Sequence, residues 1–347
     1  MTYSEALKSG FRLVNSRWQL VAVQAGMMLF NCVSFFVMVG IPLGVAFIIF
    51  GLDLTGLTEL KDLVSVFKNP AELLSKYFGL VLVVITSFLF YIILVTTLGL
   101  FVFGGSVGVI GRSILEPSFK FSMRAFFSEA RKLFFPMMWY SLVAGLAFIL
   151  IAFVLGLFGG GIAAVVSVAR SQDSTLAIFL GIFFSLILIL IGVSLVLGAL
   201  AVTVYGIAAL FFRGGGSMRS FSGGFKFVWD HQNAFWLYVL LLMGYVIVSF
   251  IVMLIVYPFN LIPIIGTIIS IPFQIVSYVI QGYLGLVIVA VVFNYYFEME
   301  IKKALPAGGE AQIGITPESS IGPEDISPAQ APRQETAPPE TEGPEQS

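Results

Sequence analysis

The sequence predicts an all-α polytopic membrane protein: six transmembrane helices arranged as three repeats, each an interfacial elbow helix followed by a transmembrane hairpin. Three observations carry this prediction. The chain is 59% hydrophobic and only 11% charged, against roughly 25% charged in soluble domains. Its charges are segregated, leaving residues 18–52, 77–111, 133–169, 174–212 and 232–297 without Asp, Glu, Lys, Arg or His. A short basic and aromatic motif also recurs ahead of successive hairpins.

The uncharged stretches set the crossings. A hydrocarbon core about 30 Å thick takes roughly 20 apolar residues as a helix. The first four stretches supply one crossing each. The fifth is interrupted at "YPFNLIPIIG" by Pro258, Asn260, Pro263 and Gly266, and so supplies two crossings and a turn. Crossings are expected at about 18–50, 77–111, 134–168, 175–212, 234–257 and 264–297. Gly40-Ile41-Pro42 should break the first. The loop 51–76 reads as a short surface helix with Leu57, Leu60, Leu63, Val64 and Phe67 on one face. A second helix then starts at the Asn69 cap, with Pro70 in its first position.

Orientation follows from Lys and Arg. Six crossings place 1–17, 112–133, 213–233 and the C-terminus on one side, where residues before 305 hold 13 Lys and Arg; the opposite side holds four. The positive-inside rule then puts both termini in the cytoplasm. The start "MTYSEALKSGFRLVNSRW" is amphipathic and lacks a signal-peptide pattern, so insertion is expected to rely on the helices themselves. The single cysteine, Cys32, lies inside the first crossing.

The motif defines the repeat. "SMRAFFSEARKL" (122–133) and "SMRSFSGGFKFV" (217–228) share Ser-Met-Arg, with Phe126 matching Phe221 and Arg131 matching Lys226. A weaker copy, "EALKSGFRLV", aligns Gly10-Phe11-Arg12 with Gly224-Phe225-Lys226. The predicted helical domain therefore spans 1–304, with repeats at about 1–111, 112–212 and 213–304. In each elbow apolar residues share a face: Leu7, Phe11, Val14 and Trp18; Met123, Phe126, Phe127, Ala130, Leu133 and Phe134; Met218, Phe221, Phe225, Val228 and Trp229. Basic amphipathic helices of this kind lie in the headgroup plane. Arg12, Arg124, Arg131, Arg213, Arg219 and Lys226 are the expected contacts to anionic headgroups, at about 1 kcal/mol each. Trp18, Trp139, Trp229 and Trp236 fall where an interfacial aromatic belt belongs. The lone His231 follows the third elbow beside Asp230, and on a helix such neighbours do not face each other. It reads as an interfacial residue with no catalytic partner.

Other signals read as packing. "GGSVG" (104–108) has the spacing of a nucleophile elbow around Ser106 but lies within an uncharged helix instead of a strand-turn-helix. Gly104/Gly108, Gly40/Gly44 and Gly156/Gly160 are small-xxx-small pairs suited to close helix approach. "RGGGSMR" (213–219) lacks the Gly-Lys-Ser/Thr ending of a phosphate loop and reads as a hinge. Ser270, Gln274, Ser277 and Gln281 recur along one side of the sixth crossing, a polar seam that should face helices. No Asp, Glu, Lys, Arg or His lies inside any crossing, which argues against ion or proton coupling. No cofactor, metal site or nucleic-acid-binding patch is expected; one His and one Cys cannot build a zinc site unaided. From Pro306 to Ser347 the chain holds eight prolines, eight acidic residues and one arginine. The segment 305–347 is therefore expected to be a disordered, acidic, Pro-rich cytoplasmic tail, either solvating or docking a protein partner.

On "ALKSGFRLVNSRWQL", "SMRAFFSEARKLF" and "SMRSFSGGFKFVWDHQNAFW", and on the spacing of its crossings, the chain resembles prokaryotic six-helix membrane proteins. These are the YciC-like family and the membrane domain joined to some glycerophosphoryl diester phosphodiesterases. The resemblance covers about residues 1–304 and implies an integral protein of the cytoplasmic membrane, without carrying over phosphodiesterase activity. The expected role is non-enzymatic: a scaffold or envelope-maintenance protein acting through helix packing and lipid contact. The alternative is a facilitator of an uncharged or lipid-like substrate.

Overall fold

The computed structural model describes residues 2–55, 75, 77–260 and 265–304, and every regular element among them is helical. Helix α1 (Tyr3–Ser16) opens in a capping box: the Thr2 hydroxyl accepts from Glu5 N–H, and Glu5 accepts the Thr2 N–H at 2.8 Å. Helices α2 (Gln19–Phe35) and α3 (Ile41–Thr55) form one crossing, joined by a π turn at Phe36–Gly40. The expected break at Gly40–Pro42 is thus a single wide turn. Pro42 has no N–H to donate, and the extra residue of a π turn absorbs a missing bond without ending the helix. There follow α4 (Phe78–Leu115), α5 (Met123–Gln172), α6 (Ser174–Arg213), α7 (Ser217–Asp230), α8 (Gln232–Asn260) and α9 (Ile265–Tyr296). A second π turn, Phe297–Ile301, leads into α10 (Lys302–Ala304).

Six of these segments are long and apolar enough to cross a membrane: Gln19–Ile49, Phe78–Leu115, Met123–Gln172, Ser174–Arg213, Gln232–Ile255 and Pro272–Ile301. The protein is an all-α polytopic membrane protein, with an elbow before each hairpin. Two boundaries differ from expectation. The second elbow is not a separate helix, because α5 runs unbroken for 50 residues with Pro136 inside it. That is about 75 Å at 1.5 Å per residue, far more than a bilayer core needs. Pro258 sits inside α8 instead of ending it. The surface helix expected within 51–76, its Asn69-capped successor and the tail from 305 lie outside the described residues, as does a second unit, Gly314–Ser347.

The third and first elbows end in equivalent turns, at His231 and at Arg17. Counted in the same register, the second copy carries Pro136 at that place. There a missing N–H stands where the other two copies break.

How the elbows pack explains the fold. Elbow α7 lies on α6, the elbow segment of α5 on α4, and α1 on α9. Each elbow therefore grips the second helix of a hairpin, and α1 closes the series by gripping the last one. Backbones meet at one register in all three. A Cβ on Gly224 would come within 2.6–2.7 Å of the Gly206 N and Cα. One on Gly108 would lie 2.6 Å from the Glu129 Cβ, and one on Gly10 would lie 3.0 Å from the Val291 N. Gly10, Glu129 and Gly224 hold the same place in the three copies.

Inside the elbows, the ends of α4, α6 and α9 form the core. Residues 104–111 are all buried, as are most of 201–212 and 286–296. Gly111 leaves room for Phe211, and Phe212 packs on Phe293 and Tyr296 with ring centroids 5.6 and 6.1 Å apart. Two tyrosines tie crossings together: Tyr140 donates to the Thr203 carbonyl at 2.8 Å, and Tyr205 to the Ala234 carbonyl at 3.0 Å. Of the three small-xxx-small pairs, only Gly104/Gly108 makes a close helix approach. Gly44, Gly156 and Gly160 have nothing within 4 Å of an added Cβ, and Gly40 meets only its own helix.

This contrast is testable. Gly224→Leu puts a side chain into the α6 backbone, which cannot retreat as a flexible side chain would. It should cost about 3 kcal/mol or more, seen as a lowered thermal midpoint of the detergent-solubilised protein. Gly160→Leu should leave that midpoint nearly unchanged.

Candidate lipid-contact surface and polar seam

The elbows present two faces. The inward face is small or buried: Ala6, Gly10 and Val14 in α1; Phe126, Ala130 and Leu133 in α5; Ser220, Gly224 and Phe227 in α7. The outward face carries large apolar groups left open, among them Leu7, Phe11, Met123, Phe127, Met218 and Phe225. Val14, Phe126, Ala130 and Leu133, expected on the lipid face, are instead buried against neighbouring crossings. A helix packed on a helix needs its own inward stripe, and the amphipathic pattern merged the two stripes into one.

Five of the six expected lipid-contact bases, Arg12, Arg124, Arg131, Arg219 and Lys226, are exposed on the elbows. None of the five has a hydrogen-bond or ion-pair partner among the described residues. Arg213 differs: it pairs with Glu300 on the second π turn, tying α6 to the end of α9. All four tryptophans are open, at 58–75% exposure, and sit at the elbow end of the bundle.

Two arginines outside that set act within the structure. Arg112 bonds Glu129 at 3.3 Å, lies 3.6 Å from Glu116 and covers the Phe119 ring at 5.0 Å. The Arg17 guanidinium reaches the Phe119 carbonyl. Both pin the loop between α4 and α5; Arg112–Glu116 is an i,i+4 pair, but no spacing in the sequence announces the contacts with Glu129 or with the Phe119 carbonyl. His231 ends α7, its Nδ1 3.3 Å from the Phe227 carbonyl and its ring stacked on Phe227 at 4.7 Å. It serves as a helix terminus packed on an aromatic ring.

The seam is partly assembled. Gln281 donates to Ser277 at 3.4 Å; both are half-buried, while Gln274 is exposed. The Ser270 side chain lies outside the described residues. The first crossing supplies the facing partner, which the sequence reading missed. Gln24 on α2 lies 3.6 Å (Cβ to added Cβ) from Gly282, one residue past Gln281, and donates to Ser106 at 3.3 Å. Ser106 is fully buried and donates to the Val102 carbonyl at 2.9 Å, so its hydroxyl is engaged in helix packing. Two turns further along α2, the buried Asn31 Oδ1 has no hydrogen-bond partner among the described residues. The signal was available in Gln19, Gln24, Asn31 and Ser34, polar residues in a mostly apolar crossing.

Comparison with protein-family models, with curated proteins and with solved structures returns no match.

Removing the Ser106 hydroxyl tests the seam. Ser106→Ala should cost about 0.6 kcal/mol, the usual value of an interhelical side-chain bond in a membrane protein. Gln24→Leu should cost a similar amount, and the double variant should cost less than the sum of the two. Chemical denaturation in mixed micelles measures all three.

Proposed function

We propose that this chain is a non-enzymatic, multi-pass protein of a prokaryotic cell membrane, with both termini cytoplasmic, acting as a scaffold or in envelope maintenance. The observation that carries this reading is the elbow end of the bundle. Five bases without a partner among the described residues and an outward apolar face gather there on three elbows, and four open tryptophans stand on or just after them. Cations without protein partners beside exposed indoles match a headgroup layer: phosphate meets the bases, and the rings lie at the boundary with the tails. The excess of Lys and Arg on this side supports its placement in the cytoplasm. The acidic, Pro-rich segment from 306 would be the docking element for a protein partner. The pattern shared with YciC-like proteins fits the same reading.

A second reading rests on a different observation. The Gln24, Ser106, Ser277 and Gln281 line, with the orphaned Asn31 oxygen, offers polar atoms at membrane depth, as a pathway for an uncharged or lipid-like substrate requires. Structural cross-links between helices use the same groups, so flux is the discriminating readout. In vesicles, the scaffold reading expects the double change Gln274→Leu and Gln281→Leu to leave lipid and solute flux at the protein-free level. It also expects deletion of 306–347 to abolish function in cells. Flux present in the unaltered protein and lost in the double variant would instead establish transport. Cysteine labelling at positions 3 and 303 should show both ends on the cytoplasmic face.

A further inference from the structure

Between α1 and the second π turn lies an open surface cavity of about 500 Å³, lined by Glu5, Lys8, Ser9, Arg12 and Glu298. Glu5, Lys8 and Arg12 are spaced three and four apart, so α1 offers them from one side. Lys8 and Arg12 have no hydrogen-bond or ion-pair partner among the described residues. Glu5 accepts from the Thr2 backbone, which holds its carboxyl below the ordinary range and keeps it charged. Glu298 accepts from Lys302 at 3.0 Å and remains 37% exposed. The lining is thus two acids and two bases around a polar opening.

The other repeats show that this balance is particular to the first elbow. In the register fixed by Gly10, Glu129 and Gly224, the place of Glu5 is held by Arg124 and Arg219. The place of Arg12 is held by Arg131 and Lys226. On the gripped helices, Glu298 stands seven residues past Val291; the residue seven past Gly108 is Leu115, and seven past Gly206 is Arg213. Near the other elbows Glu116, Glu129 and Glu300 are taken up by Arg112 and Arg213, and the exposed Asp230 ends α7 one turn past Lys226. At the first elbow Glu298 is shared between Lys302 and the opening, and Glu5 stands there with Lys8 and Arg12, so acids and bases line one opening.

We propose that this cavity binds the zwitterionic headgroup of a phosphoethanolamine lipid, with the phosphate on Lys8 and Arg12 and the ammonium between Glu5 and Glu298. A purely anionic headgroup would meet two carboxylates, and a simple cation would meet two bases; a zwitterion satisfies all four. A lipid, as opposed to free phosphoethanolamine, is indicated by the neighbouring apolar surface. Leu7 and Phe11 are open on the same helix, and Phe11 lies 6.2 Å from Tyr283, a platform for acyl chains. The assignment rests on reading the elbows as headgroup contacts.

The test uses the full-length protein in detergent, titrated separately with dioleoyl-phosphatidylethanolamine, dioleoyl-phosphatidylglycerol and soluble phosphoethanolamine, with bound species counted by native mass spectrometry. The unaltered protein should keep one ethanolamine lipid preferentially. Glu298→Lys should weaken that binding about tenfold and strengthen glycerol-lipid binding, and Arg12→Gln should weaken ethanolamine-lipid binding by a similar factor. Arg12 is exposed and Glu298 half-buried, and an unchanged thermal midpoint would certify that each variant folds. Selectivity untouched by both changes overturns the proposal. Equal retention of free phosphoethanolamine overturns the lipid as ligand. If glycerol lipid is held through Arg124 and Arg219 without ethanolamine selectivity, the cavity assignment alone fails. If no lipid is held and Arg124→Gln with Arg219→Gln changes nothing, the elbow reading fails with it.

Discussion

At three places in this bundle an elbow meets a crossing with almost nothing between the backbones: Gly224 on Gly206, Glu129 over Gly108, and Gly10 on Val291. In lipid the usual reason for apolar helices to associate is missing, since the tails are as apolar as the side chains. What remains is dispersion, which grows with the closeness and number of contacts, together with a few interhelical hydrogen bonds. A glycine at the crossing point lets the axes approach. Neighbours can then interlock: Tyr140 over Gly206, Phe126 against Gly105, and Phe211 into the space at Gly111. The buried ends of α4, α6 and α9 exist because three elbows press on them from outside.

The opposite ends of the crossings lack that clamp, and the difference is visible in how they pack. Beyond about residue 145 of α5 and before 200 of α6, the two helices touch chiefly each other. Leu188, Val166 and Leu155 sit 3.6–3.8 Å from where side chains on Gly159, Gly181 and Gly192 would lie. Large apolar groups there, such as Ile149, Phe153, Phe179 and Leu190, are 63–71% exposed. For a soluble protein such a surface would be a liability. For a hairpin in hydrocarbon it is the expected outer wall, with the lipid completing the packing.

Much of this was legible in the residues, for definite reasons. Crossings are written in local composition, because the absence of charge over about 20 residues has one cheap solution in a bilayer. The register linking Gly10 with Gly224 was legible too, because repeated contacts impose repeated small residues. Partner choice was not legible. Nothing near Gly156 and Gly160 marks them as unused while Gly104 and Gly108 are gripped, since both pairs satisfy the same spacing rule and only the fold supplies a facing helix. The pairing of Arg213 with Glu300 was hidden for the same reason: 87 residues separate them, and Arg213 looks locally like its unpaired neighbours. The boundary expected between the second elbow and the crossing at 134 was not kept either, although Pro136 stands beside it. A proline commonly ends a helix, yet here the helix passes through, and the Ser217 hydroxyl donates to the Pro136 carbonyl at 3.3 Å.

The three clamps are alike in geometry but unlike in the chain that joins them. The second and third elbows follow directly after the helices they grip, through residues 116–122 and 214–216. Their contacts can form as soon as those segments emerge, at small loop-closure cost. The first elbow grips α9, so Gly10 must wait for Val291, and almost the whole chain separates them. Until then its small inward face has no partner, and a charged, amphipathic helix in that state rests naturally on a headgroup surface. The contact that makes the ring complete is thus also the last that synthesis allows. The mixed charge of Glu5, Lys8, Arg12 and Glu298 gathers at that closure. Elbows whose partners are adjacent in sequence need no help in finding them. The one elbow that must be held in place across the whole chain is the one whose junction has both signs of charge to offer a headgroup.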